Sequence, residues 1–154
     1  MNNELRIRTA TANDLGEIVR MLADDFLGTG RELIGDEISE SYLRAFREIE
    51  GDPNNELVVA ELDMKVVGTF QLTYTPSLSF KGSKRCTIES VRVDAQLRRR
   101  RIGRQMMVWA IQRAKEKGCV FMQLSTHSER KDAHRFYERL GFKQTHLGMK
   151  LILV

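Results

Sequence analysis

The densest chemical feature of the chain is a run of arginines, Arg98–Arg101, followed closely by Arg104. The run lies between a β-branched stretch that ends at Val93 and a helix-like apolar pattern that begins at Ile102. A helix N-terminus presents backbone N–H groups that have no intrahelical partner, and its dipole adds partial positive charge. Because phosphate groups bind such ends readily, this segment predicts a site for a phosphorylated ligand.

The positive charge of the chain is concentrated in that segment. The 154 residues carry a net charge of +4, and subtracting these five arginines leaves the remainder at −1. A broad nucleic-acid surface would spread its basic residues over a larger area. The distribution therefore favours one compact anionic ligand, and a basic nucleic-acid-binding module stays open as the alternative.

Composition excludes several other classes. A hydrophobic content of 42% and a charged content of 30% are typical of a globular protein. No apolar run approaches the ~20 residues that cross a bilayer, and the N-terminus lacks the order of a signal peptide. We expect Cys86 and Cys119 to be reduced thiols in a cytoplasmic protein that has no membrane partner. The Cys and His spacing matches no metal site, so no metal is predicted.

Hydrophobic periodicity predicts one α/β (α+β) domain over residues 1–154, with the element order βααβββαβαβ. The expected strands span 4–8, 57–62, 66–74, 85–93, 119–124 and 146–154. Four helices are expected near 15–26, 36–49, 102–114 and 132–140. This order predicts a mixed, mostly antiparallel sheet of about six to seven strands. Gly68, inside a strand pattern, indicates a bulge or a close backbone approach.

Two segments in this order resemble the GNAT N-acetyltransferase superfamily. Residues 98–103 read Arg-Arg-Arg-Arg-Ile-Gly and are similar to the family's Gln/Arg-x-x-Gly-x-Gly/Ala turn, with Arg101 in place of the middle glycine. Residues 133–142 read Ala-His-Arg-Phe-Tyr-Glu-Arg-Leu-Gly-Phe and are similar to the family's Ala-x-x-Phe-Tyr-x-x-x-Gly-Phe segment. Arg130 stands where the family usually has Asn. The resemblance implies the GNAT fold, with a splay between the fourth and fifth strands.

The resemblance also implies acetyl-coenzyme A as co-substrate. The pantetheine arm would pair with the backbone at Val91 and Val93, although both residues could be plain strand core. At Arg101 we expect a backbone conformation that a side chain tolerates, and not a strained φ. The residues expected to bind the cofactor are Val91, Arg92, Val93, Arg98, Arg99, Arg100, Arg101, Ile102, Gly103, Arg104, Arg130 and His134.

Two residues are candidates for proton transfer. By resemblance Tyr137 is the general acid, although a tyrosine on an apolar helix stripe can also be a core residue with one hydroxyl partner. Glu89 is placed on one strand face with Thr87, Val91 and Val93, where it could act as the general base through water. Its alternative is a carboxylate paired with a nearby arginine.

By resemblance the chain is an N-acetyltransferase that transfers acetyl directly to a primary amine of a small molecule. A coenzyme A-binding sensor without catalysis remains an alternative, as does the nucleic-acid-binding module. The segment Gly28–Glu37 is the expected substrate lid. Relatives that pair through sheet edges suggest a homodimer by analogy.

Overall fold

The structure, a computed structural model, describes residues 4–24, 30–35 and 37–154. One sheet runs in the order β1-β2-β3-β4-β5, formed by β1 (Arg6–Thr9), β2 (Asn55–Leu62), β3 (Lys65–Pro76), β4 (Lys84–Val93) and β5 (Cys119–Gln123). The first four strands pair antiparallel, and β5 pairs parallel to β4. The predicted mixed, mostly antiparallel sheet is therefore confirmed.

The helices are α1 (Leu15–Ala23), α2 (Glu40–Gly51), the single turn α3 (Ser79–Gly82), α4 (Ile102–Glu116) and α5 (Lys131–Arg139). Four of them are long, as predicted. Helix α1 buries Leu15, Ile18 and Val19 on one side, which fits the apolar repeat in its sequence. Among the described residues no helix combines the length and apolar character that crossing a membrane requires.

The predicted count of six to seven strands is wrong, because the described sheet has five. The missing strand is the one expected over 146–154, a segment that pairs with no other strand of the described chain. A strand needs a hydrogen-bonding neighbour as well as a suitable sequence pattern, and here only the pattern is present.

Apolar side chains pack on both faces of the sheet. On one face Phe70 and Leu72 of β3 meet Met106 and Ala110 of α4, and all four side chains are fully buried. On the other face Val59 of β2 packs with residues from α1 and α2. The sheet therefore lies between two helix layers, with α4 on one face and α1 and α2 on the other.

Gly68 lies where β3 and α4 come closest. A Cβ at this position would stand 2.6 Å from the sulfur of Met106 and 3.2 Å from the carbonyl oxygen of Arg92. The close approach predicted for this glycine is confirmed, and only a residue without a side chain allows it.

Candidate active site

The end of β4 is anchored by Asp94. Its backbone N–H donates to the carbonyl of Val67 at 2.9 Å, and its carboxylate accepts the N–H of Gln96 at 2.9 Å. The guanidinium of Arg20 in α1 lies 2.7 Å from the same carboxylate. These contacts lower the pKa of Asp94, and the hydrogen bond from Arg20 is the main cause. The chain therefore leaves the sheet from a fixed point.

After that point the backbone twice enters the left-handed region, at Arg99 with φ +67° and at Arg101 with φ +63°. The expectation that Arg101 avoids a strained φ is wrong. A left-handed residue other than glycine costs roughly 1–2 kcal/mol, and such strain concentrates at functional sites. The conformation is set by the turn that joins β4 to α4, since Arg101 is the N-cap of α4 and its carbonyl accepts the N–H of Gln105 at 3.0 Å.

The N-terminus of α4 has exposed positive charge and no acidic residue in its first turn. No side chain caps the helix, and its first turn contains no acidic residue. The N–H groups of the first turn have no acceptor within the helix. The side chains of Arg98–Arg101 and Arg104 are exposed, and within the described part of the chain none of them forms a salt bridge. We call residues 98–104 the arginine turn, and its charges and free donors suit a phosphate.

Helix α5 approaches the start of α4 at Gly103. A Cβ built at Gly103 would lie 3.5 Å from the ring of Phe136 and 3.6 Å from a methyl of Val93, both ordinary contact distances. Three elements therefore meet at this glycine: the end of β4, the first turn of α4 and the middle of α5. This junction brings the two sequence segments of the resemblance together.

Strands β4 and β5 separate beside the junction. Their pairing covers only residues 84–87 of β4, and its last pair is closed by a 3.1 Å hydrogen bond from Gln123 to the hydroxyl of Thr87. From residue 88 to 93 the β5-facing edge of β4 has no strand partner within the described chain. The predicted splay is therefore confirmed, and it includes Val91 and Val93.

A bulge in β4 corrects the placement of Glu89. Thr69 pairs with Arg92 and Gln71 pairs with Glu89, so two residues of β4 stand opposite one of β3, and Ser90 has φ +54°. The extra residue reverses the alternation of side chains. Val91 and Val93 pack with the α4 cluster, whereas Glu89 shares the opposite face with Gln71. The expectation that Glu89 shares a face with Val91 and Val93 is therefore wrong.

On that opposite face lies an apolar cavity of about 110 Å³ between α1, α2 and the sheet. Gln71 and Ser90 reach it from the sheet, and Tyr42 reaches it from α2. The cavity was not predicted from the sequence, because the bulge that brings Ser90 to it leaves no recognisable pattern of apolar and polar residues in β4. Of the expected lid, Gly28–Glu37, the N–H of Leu33 donates to the hydroxyl of Tyr42 at 2.9 Å, whereas Gly28, Thr29 and Asp36 lie outside the described residues.

Tyr137 of α5 lies half-buried at the junction. Its ring makes edge-to-face contacts with Phe136 at 5.2 Å and Phe142 at 5.8 Å between centroids. Burial raises the pKa of its hydroxyl, and the nearby guanidinium groups of Arg92 and Arg130 partly oppose that rise. The phenol is therefore protonated at neutral pH, with two cations close by.

The remaining predicted residues surround α5. Arg130 is the N-cap of α5, and its carbonyl accepts the N–H of His134 at 3.1 Å. The ring Nε2 of His134 lies 3.0 Å from the carbonyl oxygen of His127, so this imidazole is held by the backbone of the preceding loop. Within the described ranges no cluster of three His, Cys, Asp or Glu side chains could hold a metal ion.

Comparisons with known proteins agree with this geometry. The sequence profile of the Acetyltransferase (GNAT) family matches residues 17–142. Aminoalkylphosphonate N-acetyltransferase of Salmonella typhimurium is 30% identical over 144 residues, which cover 91% of this chain and 86% of that protein.

Solved structures share the fold. A protein from Bacillus halodurans C-125 described as a transcriptional regulator is 50% identical, with a TM-score of 0.94 over 97% of this chain and all of the other. A predicted acetyltransferase from Clostridium acetobutylicum with acetyl-CoA is 20% identical, with a TM-score of 0.75 over 97% of each chain. The profile match spans most of the chain, so the protein belongs to the GNAT family of acetyltransferases.

Proposed function

We propose that residues 1–154 form an N-acetyltransferase that moves the acetyl group of acetyl-coenzyme A directly to a primary amine of a small molecule. One observation carries the proposal: the unpaired edge of β4 leads to an uncapped helix N-terminus with free arginines, and Tyr137 stands beside both. A long ligand with a phosphorylated end and a reactive thioester end fits this arrangement. When bound, acetyl-coenzyme A supplies the acetyl thioester and a thiolate leaving group.

The chain offers distinct groups to each part of the cofactor. The free edge of β4 at Val91 and Val93 is suited to pair with the pantetheine arm as an added strand would. The N–H groups of Ile102, Gly103 and Arg104 would hold the pyrophosphate. The guanidinium groups of the arginine turn, with Arg92, Arg130 and His134 on the α5 side, would surround the remaining phosphate.

Tyr137 is proposed to give a proton to the departing thiolate. A general acid must be protonated before the reaction, and the raised pKa of this phenol meets that condition at neutral pH. The nearby cations Arg92 and Arg130 stabilise the phenolate that the transfer leaves behind.

Glu89 is proposed to receive the proton of the amine through water. It lies on the face of β4 that borders the cavity, opposite Gln71 and next to the bulge at Ser90. A protonated amine cannot attack a carbonyl, so a base must stand on the side from which the acceptor arrives. We expect Glu89→Gln to lose the acidic limb of the pH–rate profile and Gln71→Asn, which adds no charge beside Glu89, to keep it. If Glu89→Gln kept the wild-type limb, another group would be the base.

A small-molecule acceptor is supported by the cavity and by one relative. The cavity of about 110 Å³ has room for a small amine and lies beside the bulge at Ser90. The relative from Salmonella typhimurium acts, by its name, on aminoalkylphosphonates.

Cys86 and Cys119 are both free thiols, which supports the expectation of a cytoplasmic enzyme.

The test is an amine panel read by release of the coenzyme A thiol. It should include aminoalkylphosphonates, amino acids, polyamines and aminoglycosides. We expect turnover of at least one small amine, and we expect acetyl-coenzyme A to raise the melting temperature. Stabilisation without turnover of any amine would indicate a coenzyme A-binding sensor instead.

The exposed arginine turn and the B. halodurans relative described as a transcriptional regulator make nucleic acid the second candidate ligand. Binding to duplex DNA that weakens steeply with salt, together with no thermal shift from acetyl-coenzyme A, would favour that alternative. We expect the opposite pair of results.

A further inference from the structure

The cavity between α1, α2 and the sheet has mostly apolar walls. They are formed by side chains from α1, α2 and β2: Leu15, Ile18, Leu22, Phe46, Ile49 and Leu57. None of the described residues that line the cavity is Lys, Arg or His. A carboxylate or phosphonate inside it would therefore be buried without a cation, which is strongly unfavourable.

The polar side chains in the lining are few, and two of them already have hydrogen-bond partners inside the protein. The hydroxyl of Thr69 donates to the carbonyl of Val58 at 2.9 Å, and the hydroxyl of Tyr42 donates to the carboxylate of Glu32 at 2.8 Å. The cavity therefore offers a ligand mainly apolar contact.

The cavity reaches the bulge in β4, where the amine is proposed to react. Ser90 belongs to the lining and is exposed, so the cavity opens to solvent at this point. Glu89 precedes Ser90, and its cross-strand partner Gln71 also lines the cavity. An amine bound beside Glu89 would therefore have its carbon substituent next to the apolar walls.

The chain that leads from α1 into α2 is strongly acidic. Residues 24–40 contain six acidic residues and one arginine, which gives them a net charge of −5. That arginine, Arg31, lies 3.2 Å from the carboxylate of Glu32. Such a potential attracts a cationic amine and disfavours a ligand that also carries an anionic group.

We propose that the acceptor is a primary amine whose substituent is an uncharged apolar group of about four carbon atoms. Since a cavity of about 150 Å³ holds the six carbons of benzene, the present one of about 110 Å³ suits a group of that size. The inference rests on the proposed transferase function, because it takes the cavity as the acceptor side of the site. It separates this chain from the relative that is named for aminoalkylphosphonates.

A series of linear alkylamines from ethylamine to octylamine tests the proposal, with 2-aminoethylphosphonate as the charged comparison. We expect kcat/KM to rise about three- to tenfold for each added methylene up to about four carbons and then to level or fall. The phosphonate should be at least about tenfold poorer than butylamine. Equal values along the series, or a preference for the phosphonate, would overturn the proposal.

Two variants change the size of the cavity. Ala45 of α2 is an exposed residue of the lining, so Ala45→Leu should narrow the cavity, whereas Ile49→Ala should widen it. We expect the preferred amine to become about one to two carbons shorter in the first variant and longer in the second. Ala12→Leu makes the first change at an exposed alanine outside the lining and should keep the wild-type preference. A preferred length that neither cavity variant alters contradicts the proposal, and circular dichroism checks that each variant is folded.

Calorimetry with the protein saturated by coenzyme A separates this inference from the proposed reaction. We expect butylamine to bind about tenfold or more tightly than ethylamine. Such binding without turnover of any amine would retain the apolar site and refute the transferase. Turnover that does not depend on chain length would retain the transferase and refute the apolar site, and no binding of butylamine would also refute that site.

Discussion

The two ends of α4 differ in how their positive charges are paired. At the C-terminal end, Arg113 and Lys117 share the carboxylate of Glu56, at 2.8 and 3.3 Å. Burial acts to raise the pKa of Glu56, but its hydrogen bonds with these two cations hold that pKa below its usual value. Cations at this end also complement the helix dipole. Here the charges stabilise the fold.

At the N-terminal end, the arginine turn places its cations where the dipole is already positive. Each such cation is unfavourable by roughly 0.3–1 kcal/mol when no anion is present. No carboxylate within the described chain forms a salt bridge with them, and two of the residues adopt positive φ. These arginines therefore oppose folding locally, which is expected if they bind an external anion.

The largest expected effect follows from placing a negative charge at this end. Gly103→Asp should weaken acetyl-coenzyme A binding by about a hundredfold or more, because a carboxylate would compete with phosphate for the same N–H groups. The dipole favours an acidic residue here, so the fold should persist. Gly103→Ala is the matched control, because its Cβ meets only ordinary contacts, and it should retain most of the affinity. Calorimetry measures both affinities. If Gly103→Asp bound acetyl-coenzyme A as tightly as Gly103→Ala, the cofactor would not bind at this helix end.

The next effect is on the free energy of unfolding. Removing a cation should lower it at the C-terminal end of α4 but not at the N-terminal end. Arg113→Met leaves the buried Glu56 with Lys117 alone and should cost about 2 kcal/mol, a value reduced because Arg113 is partly exposed. Arg100→Met should leave the free energy of unfolding unchanged or raise it by about 0.5 kcal/mol. Urea unfolding at pH 7 measures both.

The stability that Glu56 contributes depends on pH. The lowered pKa of Glu56 gives stability that is present above its unfolded pKa and is lost as the pH falls through the folded value. The deficit of Arg113→Met should therefore shrink on acidification. A deficit that grows towards acid pH, or one that is equal for Arg100→Met, would contradict the contrast between the two ends.

A tyrosine lies near each end of α4, and we expect only the one near the N-terminal end to affect catalysis. Burial raises the pKa of both Tyr137, near the N-terminal end of α4, and Tyr74, near the C-terminal end. Tyr137→Phe should lower kcat about tenfold or more while acetyl-coenzyme A affinity stays the same. Tyr74→Phe removes a hydroxyl that is buried beside Glu56, away from Tyr137 and the arginine turn, and it should leave kcat unchanged. A near-wild-type rate for Tyr137→Phe would refute its role as general acid.

The smallest expected effect concerns Arg101. Arg101→Gly removes a left-handed side chain from the turn and should raise stability by about 1 kcal/mol or less, because glycine also makes the unfolded chain more flexible. The backbone N–H remains, so acetyl-coenzyme A affinity should fall only through the lost charge. Thermal unfolding without ligand measures the gain, and a clear loss of stability would show that the arginine side chain is needed for the turn.

Much of the fold could be predicted from local patterns. The apolar repeat of α1, the alternation of β2 to β4 and the arginines before α4 each depend on residues close in sequence, and the structure confirms them. The splay between β4 and β5 and the GNAT family were implied by two short motifs, and both are confirmed. The roles of the individual site residues remain predictions.

The errors share one physical cause, since each depended on a distant partner. The bulge at Ser90 reverses the faces of β4 through its register with β3, which the sequence of β4 alone does not show. The φ of Arg101 is set by joining a strand end to a helix start. The strand expected over 146–154 has the right alternation but needs a neighbour that its own chain does not supply in this structure.

The most direct test is calorimetric titration of acetyl-coenzyme A into the wild type and into a variant with Arg98, Arg100 and Arg104 all changed to Met. We expect one site per chain in the wild type, a large loss of affinity in the variant, and a variant at least as stable as the wild type without ligand. Equal affinity in the two proteins would contradict the claim that the arginine turn binds the cofactor.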